Sequence, residues 1–138
     1  MAASVNARFI SPSNMAKPPG FSHVVEVTGP SRTIYIAGQV GLDPAGKLAG
    51  APGDFHAQAV AAFENLKRAL AAVGAGFEHV VKLNNYMTDI ATQLPIYIEV
   101  RDRYVNREHP PASTTVEVAK LAFPTLLYEV EAIAVLGM

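Results

Sequence analysis

Apolar residues recur along the chain with two different periods, and the points where the period changes divide it into elements. His23–Val27 and Thr33–Ala37 are runs of β-branched and aromatic residues, separated by Thr28-Gly29-Pro30-Ser31, a spacing that predicts a hairpin. A shorter run near Arg8–Ile10 predicts an extra strand. From residue 54 the period becomes helical: Ala59, Phe63, Leu66, Leu70 and Val73 recur at steps of four and three, with Asp54 placed as an N-cap and Gly74 as a stop. Gln58, Glu64, Lys67 and Arg68 fall off that stripe, and Glu64 and Arg68 have the spacing of an i,i+4 ion pair. His79–Met87 reads as a strand, Pro95–Val105 as a second helix entered through proline, Ser113–Val118 as a strand after Pro110-Pro111, and Leu126–Leu136 as a final strand.

The order β-β-α-β-α-β-β predicts one α+β domain over residues 1–138, built on a mixed sheet with both helices on one face. The open face carries enough Val and Tyr to require a cover, which another copy of the chain supplies. Residues 11–20 and the stretch Gly38–Gly53, which holds five glycines and two prolines, are loops inside that domain. There is no internal repeat to argue for a different architecture.

Composition narrows the function. Of 138 residues, 50% are hydrophobic and 17% charged, so the chain is too apolar for intrinsic disorder. A formal net charge of −1 with scattered Lys and Arg lacks the basic stripe that binds a phosphate backbone, which makes nucleic acid an unlikely partner. Without cysteine there is no thiolate nucleophile, disulfide or cysteine metal site. Leu126–Leu136 is interrupted by Glu129 and Glu131 and is too short to span a bilayer, and Met1–Lys17 lacks the pattern of a secretory signal, so a cytoplasmic protein is expected.

Candidate chemistry is sparse. Glu129 and Glu131, two apart on a strand, face the same side as a possible carboxylate pair or simply as a solvated face. Ser113, Thr114 and Thr115 open a strand, where a hydroxyl either orients a ligand or caps the strand end; no His/Asp pair or GxSxG elbow supports a nucleophile. Gly38-Gln39 directly follows a strand, so its backbone can come close to a ligand, but no phosphate-loop pattern surrounds it. His23, His56, His79 and His109 lack metal-ligand spacing. Leu94, Tyr97, Arg101 and Tyr104 share helical spacing and read as core, whereas Arg101, Arg103 and Arg107 read as a small basic patch, either solvated surface or a contact for an anionic ligand.

Several segments in order resemble the RidA/YjgF-like family of reactive-intermediate deaminases: Ile36-Ala37-Gly38-Gln39-Val40, Gln58 with Asn65-Leu66-Lys67, Val80-Val81-Lys82, Thr88-Asp89, Pro111-Ala112, Val116-Glu117-Val118 and Glu129-Val130-Glu131-Ala132-Ile133-Ala134. The resemblance covers about residue 20 to 136 and implies a chorismate-mutase-like fold, a homotrimer with a central barrel, and clefts between subunits that bind a small metabolite. It implies no metal or cofactor. Typical members hydrolyse reactive imines and enamines to a keto acid and ammonia.

The resemblance also assigns roles by position. Glu129 matches the acidic residue that handles water or a proton, Thr115 a small polar residue lining the cleft, Phe21 a position where tyrosine is common, and Ala37 one where serine often sits. Ser113 stands where the family has an arginine that grips the substrate carboxylate by two hydrogen bonds. Losing a charge-assisted contact of that kind removes roughly 1.5 to 3 kcal/mol. Two functions follow: a diverged imine or enamine deaminase, in which Glu129 positions water and Phe21, Ala37, Gly38, Ser113, Thr114 and Thr115 contact substrate, or a non-catalytic trimer that binds a metabolite or protein.

Overall fold

A computed structural model describes residues 6–138. The strands are β1 (Asn6–Ile10), β2 (Val24–Thr28), β3 (Ser31–Gln39), β4 (Val80–Met87), β5 (Ala112–Glu117) and β6 (Tyr128–Gly137), and the helices are α1 (Phe55–Ala71) and α2 (Ile90–Arg101). Four strands form the main sheet in the order β3-β6-β4-β5. β6 runs antiparallel to both its neighbours, while β4 and β5 are parallel, joined across the sheet by α2. A parallel pair needs such a crossover, so α2 is a requirement of the topology. The α+β class, the mixed sheet and the two helices packed on it agree with the pattern in the sequence.

The expected hairpin does not form: β2 pairs with β1, in register from Asn6↔Thr28 to Ile10↔Val24, and β3 pairs instead with β6. Gly29, at φ +95°, turns the chain between them. The short run at Arg8–Ile10 thus supplies the partner that sequence spacing assigned to β3.

Helix α1 begins as its sequence predicts. The Asp54 Oδ1 accepts the Ala57 N–H at 3.0 Å. At the other end Gly74 takes φ +76°, and bonds from Ala75 N to Leu70 O and from Gly74 N to Ala71 O close the helix. Ala59, Phe63, Leu66 and Leu70 are fully buried, as the stripe requires.

Gln58 was expected off that stripe and is instead completely buried. Its Nε2 donates to Thr125 O at 3.0 Å and its Oε1 accepts Leu127 N–H at 2.8 Å, so it pins the approach to β6 against α1. The expected Glu64–Arg68 pair is likewise replaced: Glu64 accepts the Tyr104 hydroxyl at 2.7 Å and Arg68 donates to Asn65 Oδ1 at 3.0 Å.

Helix α2 starts at Ile90, five residues before the proline, and Pro95 lies inside it. Gln93 explains the earlier start, because its Oε1 accepts the Thr88 and Asp89 N–H groups at 3.1 and 2.9 Å, while Glu117 Oε1 accepts Ile90 N–H at 2.9 Å. Three of the donors at the helix entry are thereby satisfied without a proline.

Between helices and sheet lies an aromatic core. The Phe63 ring is 5.1 Å from Tyr104, 6.1 Å from Tyr128 and 6.4 Å from Tyr97, centroid to centroid. Tyr35 and Val116, on the other side of the sheet, are 78% and 41% exposed. No described helix is long and apolar enough to cross a membrane.

Replacing Gln58 with Ala leaves the Leu127 N–H and Thr125 carbonyl without partners and opens a void, so Gln58→Ala is expected to lower unfolding free energy by about 2 to 4 kcal/mol. Urea denaturation measures this; a loss under about 0.5 kcal/mol would contradict the anchoring role.

Candidate functional site

Side chains alternate across a strand, and the sheet register therefore sorts the candidate residues onto two faces. Ser113 and Thr115 pair with Leu83 and Asn85, whose side chains point to the helices. Thr114 pairs with Asn84 and points the other way, where its Oγ1 accepts from Lys82 Nζ at 3.0 Å. The hydroxyl triplet is therefore split.

On the helix face the organiser is Asn85, which is completely buried. Its Nδ2 faces Ser113 Oγ at 3.2 Å, Thr114 O at 3.3 Å and Thr115 Oγ1 at 3.3 Å, and its Oδ1 accepts the Tyr128 hydroxyl at 2.7 Å. Burial keeps the Tyr128 hydroxyl protonated well above the ordinary tyrosine range, so it remains a donor.

A cleft of about 380 Å³ opens beside this network, lined by Ser113, Thr115, Tyr97, Arg101 and Phe21 among others. Phe21 reaches it because Ser22 is tied to the segment that leads into β5: Ser22 N donates to Pro111 O at 3.1 Å and Ser22 Oγ to Pro110 O at 2.6 Å. Arg101, expected as solvated surface, is buried at 9% exposure and forms part of the cleft wall. Arg103 matches the expectation, exposed and paired with Glu99 at 2.7 Å.

The remaining candidates gather on the open face. β3 carries one extra residue against β6 between Ile36 and Gln39, a bulge that holds Ala37 and Gly38. The Glu129 carboxylate lies against Gly38 so closely that a Cβ there would overlap it. Glu131 accepts from Asn84 Nδ2 at 3.2 Å and from the Tyr86 hydroxyl at 3.1 Å, whereas Glu129 has no hydrogen bond among the described residues. Burial, and then the negative charge of Glu131, push the Glu129 pKa above the ordinary carboxylate range. Burial and the hydrogen bond to Glu131 likewise raise the Tyr86 pKa.

Two half-sites result. One is a cleft with neutral hydroxyls and a buried guanidinium; the other is a carboxylate with raised basicity, set against a glycine. Tyr97 and Arg101 were read as core or basic patch and not as cleft wall, and Asn85 escaped the sequence reading, although it carried a signal: it occupies an inward position between Leu83 and Met87 in the strand alternation. Among the described residues, no three His, Cys, Asp or Glu side chains gather as a metal site.

The chain thus combines an α+β mixed sheet, two helices packed on it and a cleft beside its parallel edge. The endoribonuclease L-PSP family pattern matches residues 14–136, and the chain belongs to that family, which includes the RidA/YjgF proteins. It is 39% identical over 115 residues to protein DfrA of Myxococcus xanthus, covering 83% of this chain and 84% of that one. It is 38% identical over 118 residues to the mouse 2-iminobutanoate/2-iminopropanoate deaminase, covering 85% and 82%. Among solved structures it is similar to the Rid-family protein YyfB of Yersinia pestis, with TM-score 0.81, 37% identity, and coverage of 95% and 99%.

The folded chain holds the Glu129 proton more tightly than the unfolded chain does, so ionised Glu129 costs stability at neutral pH, and this cost is relieved as pH falls through its raised value. Glu129→Gln is therefore expected to raise the thermal unfolding midpoint at pH 7, with the gain fading as the solution is acidified into the ordinary glutamate range. A gain that grows on acidification would contradict the assignment.

Proposed function

We propose that the chain works as a cytoplasmic homotrimer whose sheets close a central barrel, and that clefts between its subunits hydrolyse a small imine or enamine without a cofactor. The observation that carries this reading is the Glu129 carboxylate: partly desolvated, without a hydrogen bond among the described residues, raised in pKa and set against the Gly38 backbone. A carboxylate in that state is suited to take a proton from water and return it. Similarity to the mouse imine deaminase supports the reaction class.

In the proposed reaction, Glu129 accepts a proton as water oxygen bonds to the C=N carbon. That proton returns to nitrogen to give a carbinolamine; Glu129 then takes the carbinol O–H proton and passes it to nitrogen as the C=O bond forms and the C–N bond breaks, so that a carbonyl compound and ammonia leave. Ser113 and Thr115 orient the substrate through hydroxyls already fixed by Asn85, Phe21 covers it, and the open backbone at Ala37 and Gly38 admits it to the carboxylate. Because Glu129 and Ser113 project from opposite faces of one sheet, the two halves meet only if a second copy supplies one of them. This supports the intersubunit placement.

The ribonuclease activity in the family's description does not transfer. At net charge −1 the chain lacks the cationic surface that RNA binding requires. The alternative, a trimer that binds a metabolite without turnover, is favoured by the neutral Ser113 where an arginine is common.

Ammonia release from an imine generated in situ by an amino-acid oxidase separates the two. Acceleration by the native protein, with a loss of 10² to 10⁴-fold in Glu129→Gln, is the expected result for a general acid/base. No acceleration over the oxidase alone would contradict the hydrolase reading.

A further inference from the structure

The helix-face cleft contains a charge for which the proposed reaction has no use. Arg101 closes α2, and only 11% of its side chain is exposed. Three neighbours fix its guanidinium. Asp102 Oδ1 accepts from Nε at 3.1 Å and from Nη2 at 2.9 Å; the Tyr97 ring centroid lies 5.7 Å from Cζ. Gly20 crosses so close that a Cβ there would collide with the guanidinium, and its φ of +96° also excludes an ordinary side chain. This is a positioned group, not a stray surface cation.

Its donors are only partly used. Asp102 takes Nε and one Nη2 hydrogen, while Nη1 has no hydrogen-bond partner among the described residues. Beside it, the Tyr97 hydroxyl is the one buried side-chain polar atom among the described residues without a partner. Ser113, Arg101 and Asn85 surround that hydroxyl, yet none meets it at hydrogen-bonding geometry. Leaving a buried donor unmet costs free energy, more so for a charged one. Tyr97 and Arg101 both line the cleft that holds Ser113 and Thr115, with Leu94, Ile98 and Phe21 as apolar walls.

A guanidinium edge and a phenol side by side call for a compact group with two acceptor oxygens. The adjacent Asp102 carboxylate offsets the local charge, which disfavours a dianion and leaves planar bidentate recognition as the attraction. Apolar walls call for a short hydrocarbon body. We propose that Arg101 and the Tyr97 hydroxyl hold the carboxylate of a small aliphatic monocarboxylate in this cleft, so that α2 supplies the guanidinium absent from position 113. The neutral Ser113 belongs to the same arrangement, since an arginine there would put a second guanidinium into the cleft with Arg101. The inference rests on the reading of this cleft as the ligand site of the proposed function.

Pyruvate and its uncharged analogue pyruvamide, titrated into isotope-labelled native protein and followed by NMR, test it. Pyruvate is expected to shift the Arg101 Nε–Hε signal and the Ser113 and Thr115 amides, and to bind at least about tenfold more tightly than pyruvamide. Arg101→Gln should weaken pyruvate by about tenfold or more and leave pyruvamide within about twofold, and Tyr97→Phe should weaken pyruvate about three- to tenfold. Arg101→Lys keeps the charge without the fork, gives an intermediate loss, and carries the test if Arg101→Gln does not fold. Unchanged pyruvate affinity in the folded Arg101 variants, equal affinity for pyruvamide, or no pyruvate binding to the native protein would each overturn the proposal.

Failure here is separable from failure of the hydrolase reading. Imine turnover that persists with no dependence of pyruvate binding on Arg101 removes the anion assignment alone. Arg101-dependent pyruvate binding without turnover removes the reaction alone.

Discussion

The side-chain amide of Asn85 is the interaction on which the rest of the cleft depends. It is buried where the parallel strands β4 and β5 meet, and it contacts Ser113, Thr114 and Thr115 on one strand and Tyr128 on another. A buried amide is tolerated only when its donors and acceptor are satisfied, and here each is. The network fixes the hydroxyl directions before any ligand arrives. Tyr97, packed against Tyr128 with ring centroids 5.8 Å apart, brings its own hydroxyl to the edge of this network but finds no partner in it. Among the described residues, the buried side-chain polar atoms are thus all paired except the Tyr97 hydroxyl.

A second constraint comes from the sheet itself. Alternation along β5 and β6 sends Ser113 and Glu129 to opposite faces, and no side-chain rotamer can bring them together within one chain. The bulge at Ala37-Gly38 serves the other half-site by making room for the Glu129 carboxylate. One half offers hydroxyls and a guanidinium, and the other offers a proton acceptor. Their separation gives the proposed homotrimer a chemical rationale, beyond covering Tyr35 and Val116.

The fold was largely legible because its signals are periodic and local: the α1 stripe, the Asp54 cap, the Gly74 stop and the alternation of β6 all appear in the structure. Long-range pairing was less legible. The turn at Thr28-Gly29-Pro30-Ser31 has hairpin spacing, yet β3 finds its partner about a hundred residues later, a choice that depends on sheet order and not on the turn. At the site, Glu129 and Ser113 were visible by position, but Asn85 and the burial of Gln58 and Arg101 were not, because polar side chains at inward positions are paired by tertiary neighbours that sequence spacing does not name. Pro95 misled for a related reason: Gln93 and Glu117 supply the helix entry that proline would otherwise mark.

The proposed sharing of one active cleft between two copies can be measured by subunit mixing. Glu129→Gln disables one half-site and Ser113→Phe fills the other, and each variant alone should release no ammonia above background. Co-refolded in equal amounts, they should recover activity approaching about a quarter of native, since that share of interfaces joins an intact cleft to an intact carboxylate. Mixed assemblies that form, as judged by mass spectrometry, yet stay as inactive as their parents would show that one chain carries the whole site.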